Sequence, residues 1–341
     1  MLNSKKINLD ERILVAGANG MAGSAITKTL IEGGYGNKYL GGFLFTPSKK
    51  EVNFLDQNKV RDWFKNNQPS VVIIAAAKVG GILANNNYPA DFLLQNLKIQ
   101  TNLIETAYEF KVKRLLFLGS SCIYPKLSPQ PIKEDYLLTG DLEETNEWYA
   151  IAKIAGIKLC DALRIQYDFD AISLMPTNLY GSGDNYHLNN SHVLPALIKK
   201  FHDAVEQKKY EVTCWGSGNP FREFLHVDDL GDACTYALEK WDPRANNAPK
   251  QEDGNLLSYI NIGSGEEISI KELAVLIAEI IGFKGNIKWD KSKPDGTFKK
   301  RLDIRRAQEL GWEAKINLHL GLKKTYKDFL NELKSGTLRV N

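Results

Sequence analysis

The sequence predicts an α/β fold, a doubly wound parallel sheet carrying a smaller α/β domain. Three observations lead there. The first half alternates short β-branched runs with longer helical patterns, the mark of parallel strands joined by helical crossovers. One run, VVIIAAA at 71–77, is continuously apolar, as a strand buried on both faces must be. After Pro176 the alternation loosens, Gly, Asn and Pro become frequent, and strands shorten.

In order, the pattern predicts a strand over 13–16, a helix over 24–32, and strands over 40–45 and 71–77. A helix over 96–110, a strand over 115–118, a long helix over 149–167 and a strand over 171–175 complete the first unit. Beyond it come helices over 193–206, 270–281 and 318–333 and short strands over 211–215, 259–262 and 287–289, all assigned to the smaller domain. The expected division is 1–178, with a later contribution from about 224–241, against 179–341. The stretch DPRANNAPKQEDGN, 242–255, has loop composition and reads as an exposed excursion.

With 341 residues, 43% hydrophobic and 25% charged, the chain is ordinary for a soluble globular protein. A net charge of +3, its basic residues scattered, implies no nucleic-acid partner. The N-terminal MLNSKKINLDER lacks a signal-peptide core, and the longest apolar run is broken by Lys78 and too short for a bilayer. Cysteines 122, 160, 214 and 234 lack metal-ligand or CxxC spacing, so no metal site, reduced thiols and a cytoplasmic location are expected.

The first strand runs straight into GANGMAG, and the next helix follows. Gly17 permits the tight turn, Gly20 lets backbone approach a pyrophosphate, and Gly23 lets the helix pack on the strand. Gly17, Ala18, Asn19, Gly20, Met21, Ala22 and Gly23 are therefore candidate dinucleotide contacts, with the helix N-terminus facing the phosphates. An NAD site offers an acid to the ribose about 20 residues past the glycines. Here FTPSKKE, 45–51, places a hydroxyl and two lysines there, which favours NADP(H) with Lys49 on the 2′-phosphate. A solvated lysine pair is the alternative.

Tyr149 and Lys153, in YAIAK, share one helix face. A neighbouring ammonium is expected to lower the phenol pKa, so that Tyr149 protonates a carbonyl oxygen as hydride reaches its carbon. Ser120 and Ser121, ending the preceding strand in GSSCIYP, are placed to hydrogen-bond that oxygen. Cys122 is a less obvious choice. It can be a small buried hydrophobe, or a base if a cation depresses its pKa. A base that removes a proton α to a ketone needs an acid on the other face, and His192 is the candidate. His226 precedes an Asp-Asp pair at a helix start, and His187, His202 and His319 suggest no partner.

The GxxGxxG spacing resembles the Rossmann-type extended short-chain dehydrogenase/reductases. GSSCIYPK, NEWYAIAKIAGIKLC, MPTNLYG, NSHVLPALI, WGSGNPFREFLHVDD and KPDGT resemble, over essentially the whole chain, the GDP-L-fucose synthases. That resemblance implies 3,5-epimerisation and 4-reduction of GDP-4-keto-6-deoxy-D-mannose with NADPH, in a homodimer formed through sheet-domain helices. It implies Cys122 and His192 as the epimerising pair and Ser120, Tyr149 and Lys153 as the reductase centre. Leu118, Gly119, Ser120, Ser121, Pro176, Thr177, Asn178 and Leu179 would line the nicotinamide side, with Lys153 and His192 also at the cofactor. Lys200, Trp215, Arg222 and Asp295 would contact the GDP-sugar, and 75–82 would lie beside the cofactor. Bacterial members carry a basic residue where this chain has Asn19, which leaves the 2′-phosphate to Lys49 and Ser48. Rival readings are another nucleotide-sugar epimerase or dehydratase, and a non-catalytic NADP-binding sensor.

Overall fold

The computed structural model describes residues 5–187, 191–293 and 295–340. Asn190 and Pro294, from the quoted motifs, lie outside them. The first unit begins with β1 (Arg12–Ala16), α1 (Met21–Glu32), β2 (Phe43–Phe45), α2 (Gln57–Asn67) and β3 (Val71–Ile74). It continues through α3 (Ile82–Asn87), α4 (Pro89–Glu109), β4 (Arg114–Leu118), α5 (Glu147–Tyr167) and β5 (Ala171–Pro176). Then follow β6 (Asn178–Tyr180), α6 (Val193–Glu206), β7 (Glu211–Trp215), β8 (Phe221–His226), α7 (Val227–Lys240), β9 (Tyr259–Ile262) and β10 (Glu267–Ser269). The last elements are α8 (Ile270–Ile281), β11 (Asn286–Asp290), β12 (Lys299–Lys300), α9 (Arg305–Glu309) and α10 (Leu318–Ser335).

Six parallel strands form the main sheet in the order β2-β1-β3-β4-β5-β9. The residues of β3, β4 and β5 are all buried, as strands covered on both faces require. Helix α1 packs with α7, while α4 packs with α2 and α5. Strand β9 corrects the sequence expectation for 259–262, because it extends the main sheet beside β5 rather than joining the smaller domain. A four-residue apolar strand reads the same in either place; its partner decides. Leu302, Ala307 and Trp312 join the same core, so the main unit draws on the chain well beyond 241. The reading of 40–45 as one strand is also shortened, since Lys38–Leu40 forms a 3-10 turn before β2.

The smaller core gathers apolar residues of α6, α8 and α10 with β7 and β8. Strand β8 pairs with β6, β10 and β12, and β7 pairs with β11. The two units are stitched where β5 ends: Thr177 Oγ1 and Asn178 Nδ2 both donate to the Glu223 carbonyl, at 3.3 and 2.7 Å.

Candidate functional site

The site lies at the carboxyl ends of the parallel strands, where open α/β sheets hold ligands. The chain leaves β1 at the switch point between β1 and β3. Gly17 turns there with φ +91°, and a Cβ on it would meet the Ala76 nitrogen at 2.6 Å. A Cβ on Gly23 would collide with the Gly17 carbonyl, so only glycine lets α1 start this close. Gly20 is the N-cap of α1, where a Cβ would touch only the Gly17 carbonyl oxygen at 3.4 Å, and no side chain caps the first-turn N–H groups. Those free donors and the helix dipole fit a diphosphate. Beside them, Lys78 N–H donates to Asn96 Oδ1 and Asn96 Nδ2 returns to the Lys78 carbonyl, at 2.8 and 3.0 Å, fixing the segment after β3.

Lys49 is exposed on the turn after β2. Ser48 offers less than the sequence implied, since its N–H and Oγ both donate to Glu51, at 2.7 and 2.8 Å. Pro176 and Thr177 are buried and Asn178 and Leu179 half-buried where β5 passes into β6.

Strand β4 ends at Leu118. Gly119 N–H still bonds the Leu174 carbonyl at 2.9 Å, and Ser120 then caps a single 3-10 turn, Ser121–Ile123. The Ser120 side chain accepts from Cys122 N–H at 3.2 Å and also hydrogen-bonds the Tyr149 phenol. Tyr149 sits in the first turn of α5 and Lys153 one turn on. Lys153 is buried and donates to the Leu118 carbonyl at 2.7 Å, with its Nζ 5.8 Å from the Tyr149 ring centroid.

The expected lowering of the phenol pKa is corrected. Burial pushes the Tyr149 phenol well above its ordinary range, and a negative Cys122 adds to that against the Ser120 bond. Burial also pulls the Lys153 ammonium down to about 7, which weakens the charge meant to stabilise a tyrosinate. Tyr149 is therefore protonated at neutral pH, the form a proton donor needs.

Cys122 has the cation that a basic thiol requires, and its source was not legible in the sequence. Lys300, on β12, places Nζ 3.3 Å from Cys122 Sγ. Burial alone would raise the thiol; Lys300, the Ser120 bond and Arg222 outweigh it and hold the thiol below its ordinary range. His192 is the N-cap of α6 and is exposed. Although the residue keeps open surface, crowding by protein around the ring desolvates it, and this, followed by the Lys300 charge, holds its imidazole below the usual histidine range. Lys300 thus acts on both members of the suspected acid–base pair. The pair Lys299–Lys300 after KPDGT reads in sequence like any exposed lysine pair.

Arg222 and Asp295 meet, Arg222 Nη2 lying 3.5 Å from the Asp295 carbonyl. The Asp295 carboxylate accepts from Ser217 N–H and Oγ at 2.6 and 2.7 Å, so it anchors the loop after β7. Trp215 is exposed and carries Lys200 and Lys293 near its ring, 4.9 and 5.6 Å from the centroid. His226 and His202 are structural: His226 Nδ1 accepts from Asp228 N–H at 3.1 Å, capping α7, and His202 Nδ1 lies 3.1 Å from the Tyr326 hydroxyl. His202 thus has a partner that the sequence did not suggest.

The pattern of the NAD dependent epimerase/dehydratase family matches residues 13–249. GDP-L-fucose synthase 1 of Arabidopsis thaliana is 52% identical over 94% of this chain and 94% of its own length. GDP-L-fucose synthase of Escherichia coli K12 is 49% identical over 94% of this chain and 97% of its own. Among solved structures, a GDP-mannoheptose C4 reductase from Campylobacter jejuni with NADP bound superposes with TM-score 0.82 at 34% identity, covering 95% of this chain and 99% of that one. The arrangement of glycine turn, serine, tyrosine and lysine is accounted for by this kinship: the chain belongs to the NAD dependent epimerase/dehydratase family and, within it, to the GDP-L-fucose synthases.

Proposed function

We infer that the protein converts GDP-4-keto-6-deoxy-D-mannose to GDP-L-fucose by epimerisation at C3 and C5 and NADPH-dependent reduction at C4. The observation that carries the epimerase half is the Lys300–Cys122 contact, because plain ketone reduction has no use for an activated thiol. The relatives near 50% identity are GDP-L-fucose synthases, which supports the whole conversion.

The C4 ketone acidifies the hydrogens at C3 and C5. Cys122, as thiolate, takes a proton from one face, and protonated His192 returns one to the other, inverting the carbon. Ser120 and Tyr149 donate to O4 and stabilise the enolate. When bound, NADPH supplies the hydride that reduces C4. Tyr149 gives its proton to O4, leaving the alcohol. Gly17, Gly20, Gly23 and the start of α1 would hold the diphosphate, with Lys49 toward the 2′-phosphate. Arg222 and Lys200 suit the substrate diphosphate, and Trp215 offers a face to its base.

The test is incubation with GDP-4-keto-6-deoxy-D-mannose and NADPH in deuterated water, following the reduced cofactor and product label at C3 and C5. Oxidation of NADPH with deuterium at both carbons is expected. A Cys122→Ser variant that keeps full exchange would overturn the epimerase assignment.

We further propose a homodimer in the cytoplasm. Trp148, Ile151 and Ala155, then, past exposed Lys158, Ala162 and Ile165, form a largely apolar exposed stripe along α5, with Leu94 exposed on α4. A second copy packing the same two helices would cover it, and light scattering of Ile151→Asp, expected to be monomeric, checks this. Four free thiols suit a reducing compartment, and among the described residues no helix is long and apolar enough to cross a membrane.

A further inference from the structure

Behind the thiol, the loop bearing Cys122 and the segment bearing Lys300 are tied to one buried side chain. Asn261, on β9, is fully buried, and its side-chain amide is fully engaged. Its N–H donates to Glu134 at 2.9 Å, and its Oδ1 accepts from the Tyr124 hydroxyl at 2.6 Å. Its Nδ2 donates to the carbonyls of Ile132 at 2.9 Å and Asp303 at 3.2 Å. Tyr124 lies two residues after Cys122, and Asp303 three after Lys300. Ile132 runs beside the latter segment, its N–H donating to the Arg301 carbonyl and its carbonyl accepting from Asp303 N–H, both at 2.8 Å. Arg306 holds Glu134 at 2.7 Å, so the anchor is itself braced.

Only an amide accepts one hydrogen bond and donates two from a single side-chain tip; aspartate has no donor and leucine neither function. The lysine stem is flexible, so a reproducible ammonium–thiol distance requires that both backbones be fixed. We propose that Asn261, with Tyr124, is a positioning residue for epimerisation, clamping the Cys122 loop against the Lys300 segment and so setting the contact between thiol and ammonium. The inference rests on the reading of Cys122 as the base. The groups that face the thiol are Lys300 from β12, Arg222 from β8 and the Tyr149 phenol from α5, with Ser120 on its own loop. Of these, Lys300 is the one whose strand leads directly into the clamped segment, at Leu302 and Asp303. The clamp cannot shift the thiol by more than the free energy of the bond that transmits it.

The experiment uses the full-length protein and its Tyr124→Phe variant, which removes one hydroxyl, with Asn261→Ser as a second. Cys122 is alkylated with iodoacetamide across pH and read by mass spectrometry, the other three cysteines being buried. Deuterium exchange at C3 and C5 and NADPH-dependent reduction of ready-epimerised ketosugar are measured alongside. For Tyr124→Phe, alkylation should titrate at higher pH and exchange at neutral pH should fall roughly two- to tenfold, the worth of one hydrogen bond, while reduction holds. Unmoved alkylation and exchange in both variants, or exchange and reduction falling together, overturn the clamp. A wild type that exchanges no proton at C3 or C5 overturns the epimerase reading instead, and with it the role given to the clamp.

Discussion

Lys300 Nζ stands 3.3 Å from Cys122 Sγ across 178 residues of chain, and the same charge depresses the imidazole of His192. One cation therefore lowers the pKa of both Cys122 and His192, the pair proposed as base and acid. In a pH profile of C3 and C5 exchange, deprotonation of Cys122 gives the rising limb and loss of the His192 proton the falling one. Removing the positive charge destabilises the thiolate and relieves the imidazolium, so both limbs move to higher pH. Lys300→Met is expected to displace the bell by roughly one unit, the low end for a close opposite charge, and exchange rates measured across pH check it.

In the proposed reaction Tyr149 gives a proton to O4, and its raised pKa keeps that proton in place at neutral pH. Tyr149→Phe should slow reduction by about 10²–10⁴-fold, the usual worth of a positioned acid. Exchange at C3 and C5 should fall less, because Ser120 still donates to the enolate oxygen. Single-turnover reduction set against deuterium wash-in separates the two.

Lys153 is strained by its burial, its folded pKa of about 7 lying below the unfolded 10.5. Between those values the unfolded chain binds more protons, so its contribution makes stability rise with pH from about 7 to 10.5, and below 7 the penalty is constant. Lys153→Met should be more stable than the parent at pH 7 and show a smaller rise in stability by pH 9, while losing reductase activity. Urea unfolding of both proteins at the two pH values is the measurement.

Trp215 presents an open ring between Lys200 and Lys293. Stacking of a base on an aromatic face contributes about 1–3 kcal/mol. Trp215→Ala should therefore raise KM for the GDP-sugar roughly tenfold while leaving the thiol titration of Cys122 unchanged, which steady-state kinetics with alkylation would show.

Much of the site is legible in the sequence alone. The glycine turn could be read from GANGMAG because the positive φ of Gly17 and the approach of Gly23 to the Gly17 carbonyl are demands made within seven residues of chain; the crowding of Gly17 by Ala76 is long-range. Tyr149 and Lys153 could be read because one helical turn fixes their relation. Their titration could not, since it depends on how much water the fold removes; burial reversed the expected direction for the phenol. Strand 259–262 was visible as a strand, yet its place beside β5 follows from long-range pairing that carries no local mark.

By itself, the sequence determined the alternating architecture and the glycine-rich turn into α1, because each rests on short-range periodicity or spacing; it pointed to Cys122 and His192 as a reacting pair only through resemblance. Tertiary structure alone decided what state those groups are in. The Cys122 thiol is held below its ordinary range because β12 delivers Lys300 to it, and Asn261 on β9 ties the loop of one to the segment of the other. An electrostatic shift depends on distance through space, and no pattern along the chain encodes a 3.3 Å approach between residues 178 positions apart.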